Sequence, residues 1–172
     1  LGNIGLIYAQ RGDPSTGSGQ ALDKALEYFL SALGTRGISA DAERITRGTL
    51  ARMQKDLGED AFKARVERVA ARLERRFAAL NRAQEAEVAN KFDDAASALA
   101  EARETYETEK LSPFEWREYA RLGFRRALAL KRAGDSLQAL AALEETFEEY
   151  KRVDDDNALG HICLERGHVA RQ

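Results

Sequence analysis

The chain has 172 residues, of which 44% are hydrophobic and 33% are charged, and this balance fits one soluble globular domain. The chain has 27 Lys and Arg residues and 29 Asp and Glu residues, so its formal charge is −2. It therefore lacks the strong positive field that is typical of a nucleic-acid binder. No apolar run reaches the roughly 18 residues of a membrane span, and the first residues do not resemble a signal peptide. The sequence therefore predicts no membrane segment.

Composition also predicts the secondary structure. Thirty alanines stand against five valines and five isoleucines, and only two residues are prolines, so we predict an all-α fold. In chain order the predicted helices are Gly2–Arg11, Ala21–Leu33, Ala40–Leu57, Glu59–Val88, Phe92–Glu109, Pro113–Arg132, Ser136–Arg152 and Asp155–Arg166. A single cysteine, Cys163, cannot form an internal disulfide, which favours a reducing compartment and a cytoplasmic location.

The chain contains an internal repeat, visible at shifts of 44 and 70 residues. One register position holds a small residue in each copy: Ala25, Ala95 and Ala139. The position four residues later holds a large apolar side chain: Phe29, Leu99 and Leu143. Small side chains let two helix backbones approach, and large ones fill the space between neighbouring helix pairs. The repeat therefore predicts antiparallel helix hairpins packed through these positions.

Local signals mark the ends of the predicted helices. Gly12, Gly134 and Gly167 stand where a helix is predicted to stop in a left-handed conformation, and Asn90 replaces this glycine in the second copy. Gly58 is predicted to end the helix that begins near residue 40.

Two helix starts have their own signature. Ser112, followed by Pro113 and Glu115, has the pattern of a capping box with proline at the first helical position. Asp135 with Gln138 offers a similar start just after Gly134.

These residues resemble the tetratricopeptide repeat family, whose unit is an antiparallel helix pair. The resemblance covers about 1–33 and 80–172 and begins with Asn3-Ile4-Gly5, Tyr8, Gly12-Asp13, Ala25, Phe29 and Ala32. It implies hairpin repeats stacked as a short right-handed solenoid, and the fold departs from this pattern at one long irregular central helix, which the apolar spacing predicts. It also implies that the first helix of each pair lines an inner groove.

We expect one domain over residues 1–172, organised by the repeat. Its parts are a degenerate repeat at 1–33 with a loop insertion at 14–20, irregular helices at 34–79, and two repeats plus a terminal helix at 80–172. The sequence begins without methionine inside a predicted first helix and ends soon after another first helix. We therefore expect a fragment of a larger protein.

The long helix predicted at 59–88 has an apolar residue every three or four positions. These residues are Phe62, Val66, Val69, Leu73, Phe77 and Leu80. The stripe is predicted to form core for the flanking repeats, and the alternative is that it pairs with another copy of the chain as a homo-oligomer.

The sequence offers little for catalysis. His161 and His168 are seven residues apart, too far along one helix to share a metal ion, and His161 and Cys163 point to different faces. Cys163 aligns with Tyr8, so we expect it to be a buried small hydrophobe, with a reactive thiol as the alternative. No phosphate-binding or metalloprotease motif occurs. We predict no enzyme activity, no cofactor and no metal site.

Carboxylates are dense near the C-terminus. They are Glu144, Glu145, Glu148, Glu149, Asp154, Asp155 and Asp156. Paired acids can act in acid–base catalysis or bind a divalent cation, but these glutamates lie opposite the apolar face of their helix. We predict a solvated face, with the aspartates complementing the dipole of the last helix.

Basic residues give the candidate binding site. One side of the long helix has Arg65, Arg68, Arg72, Arg75 and Arg76. Through the family resemblance, Asn81, Arg121 and Arg125 match three of the five positions that hold a peptide's C-terminal carboxylate, a task suited to guanidinium forks and an amide. The predicted partner-binding residues are Asn81, Gln84, Arg121, Arg125, Leu128, Lys131 and Arg132. The other two clamp positions would come from a preceding repeat that the chain does not clearly possess, so the sequence favours surface solvation of these arginines over such a partial clamp.

Two functions compete at this point. The resemblance implies a non-enzymatic scaffold or adaptor that binds a protein, a peptide or an adjacent domain in its groove. The alternative is nucleic-acid binding through the arginines of the long helix. The overall acidity, and the lack of aromatic residues interleaved with those arginines, argue against the alternative.

Overall fold

The computed structural model describes residues 19–33, 39–108 and 111–171. Its helices are α1 (Gly19–Leu33), α2 (Ala40–Leu57), α3 (Glu59–Val88), α4 (Phe92–Glu104), α5 (Pro113–Ala133), α6 (Ser136–Lys151) and α7 (Asp156–Val169). No strand occurs in these residues, so the all-α prediction is confirmed for them. The predicted helix Gly2–Arg11 lies outside the described residues, together with Tyr8 and Gly12.

The chain forms two compact units, and their boundary falls between Glu74 and Arg75 within α3. In the first unit, α1, α2 and the first part of α3 share one apolar core. Its buried members are Leu22, Ala25, Leu26, Phe29, Met53, Val69 and Leu73. Phe62 and Val66 pack against this core from α3, so this part of the predicted apolar stripe is core.

The second unit consists of the rest of α3 with α4 to α7. Helix α5 packs against both α4 and α6, and α7 packs against α6. Leu80 of α3 packs against the core of this unit, whereas Phe77 is 50% exposed. The apolar stripe of α3 is therefore core on both sides of the boundary, with Phe77 as the exception.

The small position and the large position of the internal repeat are buried in every copy. Ala25, Ala95 and Ala139 are each 0% exposed. The large residues four positions later are also buried: Phe29, Leu99 and Leu143. The prediction that these small and large side chains are packing positions is confirmed.

Two turns of the second unit repeat the same backbone conformation 44 residues apart. Asn90, after α3, has φ 57°, and Gly134, after α5, has φ 90°. The next residues also match, with φ −92° and ψ 72° at Lys91 and φ −86° and ψ 77° at Asp135. In both turns the N–H of that residue donates to the carbonyl oxygen five residues earlier, at 2.8 Å and 3.0 Å. Asn90 therefore fills the place of the turn glycine, because asparagine tolerates the left-handed region better than most residues.

Most predicted helix ends agree with the structure. The Ser112 hydroxyl accepts from the Glu115 N–H while the Glu115 carboxylate accepts from the Ser112 N–H, which completes the capping box. The Asp135 carboxylate accepts from the Gln138 N–H at 3.0 Å, and Gly58 ends α2 with φ 82°.

Two predicted helix ends are wrong. Gly167 does not stop a helix, because α7 continues through it to Val169. Helix α4 ends at Glu104, five residues before the predicted end. There the Thr105 hydroxyl donates to the carbonyl oxygen of Ala102, three residues earlier, and accepts from Arg76 Nε. This local bonding competes with continuation of the helix.

Candidate partner-binding surface

The predicted binding residues lie on α3 and α5 of the second unit. Asn81 and Gln84 are exposed, three residues apart on α3. Arg121 is exposed on α5, where its guanidinium lies 3.5 Å from the carboxylate of Glu118 one turn earlier. An exposed pair of this kind contributes little to stability, so Arg121 is available to a partner. The prediction that these residues bind a partner stays a prediction.

Two of the predicted cations form ion pairs within the chain. Arg125 donates to Glu87 of α3 at 2.9 Å, and Lys131 donates to Glu165 of α7 at 2.7 Å. The Lys131 hydrogen bond holds the pKa of the Glu165 carboxyl below its ordinary value. Because Gln84 and Glu87 are one turn apart, the Arg125–Glu87 pair places their side of α3 beside α5. These pairs thus join α5 to α3 and to α7.

The last two predicted residues differ in setting. Leu128 is half-buried on α5. Arg132 is exposed at the end of α5, with its guanidinium 5.6 Å from the centre of the Phe92 ring at the start of α4. Arg132 therefore lies near the turn that connects α3 to α4, where Asn90 and Lys91 share a cavity with it.

The arginines of the first part of α3 are paired with carboxylates of α1. Arg65 and Arg68 donate to the two oxygens of Asp23, each at 2.8 Å, and Arg72 donates to Glu27 at 2.8 Å. These carboxylates offset much of the positive charge on which nucleic-acid binding would depend.

Arg76 is not part of a solvated arginine surface, because it is only 9% exposed. Its Nε donates to the Thr105 hydroxyl at 2.8 Å, and its guanidinium lies 3.8 Å from the centre of the Tyr106 ring. Burial of an arginine requires such partners, since its charge cannot be removed at neutral pH.

Three aromatic rings form a row beside α4, α5 and α6, which we call the aromatic row: Tyr106, Tyr119 and Trp116. Neighbouring rings meet edge to face, with centres 5.7 Å and 5.6 Å apart. Each ring also contacts one guanidinium: Arg76 on Tyr106, Arg103 on Tyr119 and Arg152 on Trp116. Such contacts are favourable because the ring face is electron-rich. The row thus presents three faces that each accept a guanidinium.

Arg103 and Glu149 form a buried ion pair between α4 and α6. They are 6% and 7% exposed, and Arg103 also donates to Glu145 at 3.2 Å. Burial raises the pKa of the Glu149 carboxyl from its ordinary value to about 7, although the Arg103 charge acts in the opposite direction. The prediction of a solvated acidic face is therefore wrong for Glu149, whereas Glu144, Glu145 and Glu148 are exposed.

The buried pair needs a glycine in the middle of α5. An added Cβ at Gly123 would lie 2.6 Å from the Thr146 hydroxyl and 3.2 Å from Glu149 Oε2. Glu149 Oε2 is buried without a hydrogen-bond partner among the described residues. Neither Arg103 nor Glu149 is predicted as a site residue from the sequence, although Gly123 inside a helical pattern is a signal of this close contact.

A cavity of about 410 Å³ lies beside the aromatic row. Its lining includes Trp116, Tyr119, Glu145, Glu148, Glu149 and Arg152. It combines aromatic faces from α5 with three carboxylates from α6, a set that suits a cationic group.

Other reactive residues lie on α7. Cys163 is exposed, so its expected burial is wrong: Ile162 and Val169 face the core, and Cys163 is one position further around the helix. His161 and His168 are also exposed. Within 19–33, 39–108 and 111–171, no group of three His, Cys, Asp or Glu residues is placed to hold a metal ion.

None of the helices that the structure describes has the length and apolar character needed to cross a membrane. Comparison of the chain with protein-family models, with curated proteins and with solved structures finds no match in any of the three.

Proposed function

We propose that the chain is a non-enzymatic helical-repeat module that binds a protein or peptide partner. In this proposal, hairpins α3–α4 and α5–α6, followed by α7, are successive units of a short right-handed solenoid of the tetratricopeptide type. The partner-binding surface is the face shared by α3 and α5, with Asn81, Gln84 and Arg121 as its exposed polar residues.

The observation that carries the proposal is the pair of turns 44 residues apart. Asn90 and Gly134 are both left-handed, and the turn hydrogen bond that follows each of them spans the same five residues. Two consecutive hairpins with one turn geometry favour a repeat architecture, because each hairpin then meets its neighbour in the same way.

The ion pairs between helices support the same arrangement. Arg125 of α5 contacts Glu87 of α3, and Lys131 of α5 contacts Glu165 of α7. The first helices of successive hairpins are therefore neighbours, as expected for the helices that line a groove. On this surface Arg121 offers a guanidinium for a carboxylate of the partner.

Affinity capture with the immobilised full chain tests the proposal. Captured proteins from a lysate of the source organism are compared between the wild type and a triple variant, Asn81→Ala, Gln84→Ala and Arg121→Ala. A matched variant with Arg44→Ala, Gln54→Ala and Lys55→Ala removes three exposed polar side chains of α2. We expect the α3–α5 variant to lose the captured set and the α2 variant to retain it.

Two results would contradict the proposal. If the α3–α5 variant and the α2 variant capture the same proteins, the α3–α5 face is not the binding surface. Capture that disappears after nuclease treatment, or that falls steeply with salt, would favour nucleic-acid binding instead.

A further inference from the structure

The cavity beside the aromatic row differs from the α3–α5 face in its chemistry. Of the charged residues that line it, three are carboxylates, Glu145, Glu148 and Glu149, and only Arg152 is basic. Arg103 pairs with Glu145 and Glu149, and Lys151 pairs with Glu148, so the carboxylates act on an entering cation through direct contact rather than through a net negative charge.

The cavity already holds one guanidinium of the chain itself. Arg152, just after α6, lies with its guanidinium 4.6 Å from the centre of the Trp116 ring. Arg152 is exposed and forms no ion pair with any described residue, so the ring face is its main contact. A side chain held in this way is readily displaced by a competing group of the same kind.

The carboxylates of the cavity are only partly engaged. Glu148 pairs with Lys151 in an exposed contact one turn away, which contributes little to stability. Glu145 accepts from Arg103 at 3.2 Å and is still 53% exposed. Glu149 Oε2 is buried against Gly123 of α5, so the accessible acceptors of the cavity belong to Glu145 and Glu148. The cavity thus retains acceptor capacity for a further donor.

We propose that this cavity binds the side chain of an arginine presented by a partner protein. The incoming guanidinium takes the Trp116 face in place of Arg152 and donates hydrogen bonds to Glu145 and Glu148. Arginine fits better than lysine, because a planar guanidinium stacks on a ring while its edges donate to carboxylates. This site goes beyond the function proposed above, since it uses none of the residues of the α3–α5 face.

The fluorescence of Trp116 offers a direct measurement, because it is the only tryptophan in the sequence. The full chain is titrated with the peptide acetyl-Gly-Arg-Gly-amide, and the neutral peptide acetyl-Gly-Gln-Gly-amide is the reference. We expect a saturable change in Trp116 fluorescence with the arginine peptide and none with the glutamine peptide.

Matched variants locate the effect in the cavity. Glu148 and Glu144 are both exposed carboxylates of α6, and each forms one ion pair, with Lys151 and with Arg166 respectively. Only Glu148 lines the cavity, so Glu144→Gln is the matched control for Glu148→Gln. Glu148→Gln should weaken binding about tenfold, because it removes a charge-assisted hydrogen bond, and Glu144→Gln should bind as the wild type. Arg152→Ala should bind the peptide several-fold more tightly, because the competing guanidinium is gone.

The proposal is overturned if the fluorescence change is absent or non-saturable in both the wild type and Arg152→Ala. It is also overturned if Glu148→Gln and Glu144→Gln bind equally well. Since the residues 144, 148 and 152 are exposed, circular dichroism of each variant should match that of the wild type. If the cavity does not bind the arginine peptide, affinity capture by the α3–α5 face can still succeed. If that capture fails, the cavity can still bind the arginine peptide.

Discussion

At the scale of single residues, the burial of the Arg103–Glu149 ion pair has a clear electrostatic consequence, which is a raised pKa of Glu149. Two opposite charges removed from water require compensation from each other and from neighbouring donors and acceptors. Here Arg103 also contacts the Tyr119 ring and Glu145, whereas one oxygen of Glu149 lacks a partner among the described residues. The imbalance explains why burial outweighs the Arg103 charge and raises the pKa of Glu149 to about 7.

This raised pKa predicts a pH-dependent stability. Because the folded pKa is above the ordinary value of 4.5, stability from this group is fully present below pH 4.5 and is lost as pH rises through about 7. Between pH 5 and pH 8 the wild type should lose about 2 kcal/mol more unfolding free energy than Glu149→Gln, after allowance for solvent screening. Urea unfolding of both proteins at the two pH values measures this difference.

The other charged groups near Glu149 are Arg103 on α4 and Glu145 and Arg152 around α6, and they are unchanged in the Glu149→Gln variant. Parallel pH profiles for the two proteins would show that Glu149 titrates normally and would contradict the prediction.

Gly123 gives a second prediction at this scale. Gly123→Ala should destabilise the protein by about 1–3 kcal/mol, because its Cβ would meet the Thr146 hydroxyl and the buried ion pair. Gly160→Ala on α7 is the matched control, since no atom lies within 4 Å of an added Cβ there. The control should be stabilised by up to about 1 kcal/mol, because alanine favours helix. Thermal or urea unfolding of both variants checks the contrast, and equal effects would be incompatible with the close contact.

Single residues also show how far sequence analysis reaches. The burial of Ala95 and Leu99 could be predicted, because it follows from a repeat visible in the sequence. The contact of Arg103 with Glu149 could not, because these residues are 46 positions apart and no local pattern joins them. The predicted burial of Cys163 depends on its alignment with Tyr8, and an error of one position in that alignment turns a helical side chain by about 100°.

For whole helices, boundaries set by local chemistry were predictable. The capping box of Ser112 and Glu115 marks the start of α5, and Gly134 marks its end. Gly58 marks the end of α2. The helix ends that were predicted wrongly depend on distant contacts or on weak sequence signals. Helix α4 ends early where Thr105 bonds to Arg76 of another helix, and Gly167 lies within a helix that simply continues.

The capping box of α5 yields a prediction for this helix. Ser112→Ala should lower the unfolding free energy by about 1 kcal/mol, because it leaves the Glu115 N–H without its acceptor. Ser97→Ala, an exposed serine inside α4, is the control and should change stability by less than about 0.5 kcal/mol. Unfolding curves in urea distinguish the two, and a control as destabilised as Ser112→Ala would argue against the cap.

For the molecule as a whole, the all-α class and the burial of the repeat positions were predictable, and most of the site chemistry was not. Asn81, Gln84 and Arg121 lie exposed on α3 and α5, but Arg125 and Lys131 already pair with carboxylates that no spacing rule identified. The aromatic row could not be predicted from the sequence, because Tyr106 and Trp116 belong to different elements that only tertiary packing brings together. The repeat remains the basis of the proposed function, since the shared turns and the shared small positions favour stacked hairpins.

The most direct test of this repeat is the unfolding free energy of three variants, Ala25→Leu, Ala95→Leu and Ala139→Leu. Each alanine is 0% exposed, so we expect every variant to lose about 1–3 kcal/mol through overpacking. Ala51→Leu and Ala141→Leu, at exposed positions of α2 and α6, should change stability by less than about 0.5 kcal/mol. If any one of the three buried alanines accepts leucine as readily as these controls, the positions are not equivalent and the repeat account is contradicted.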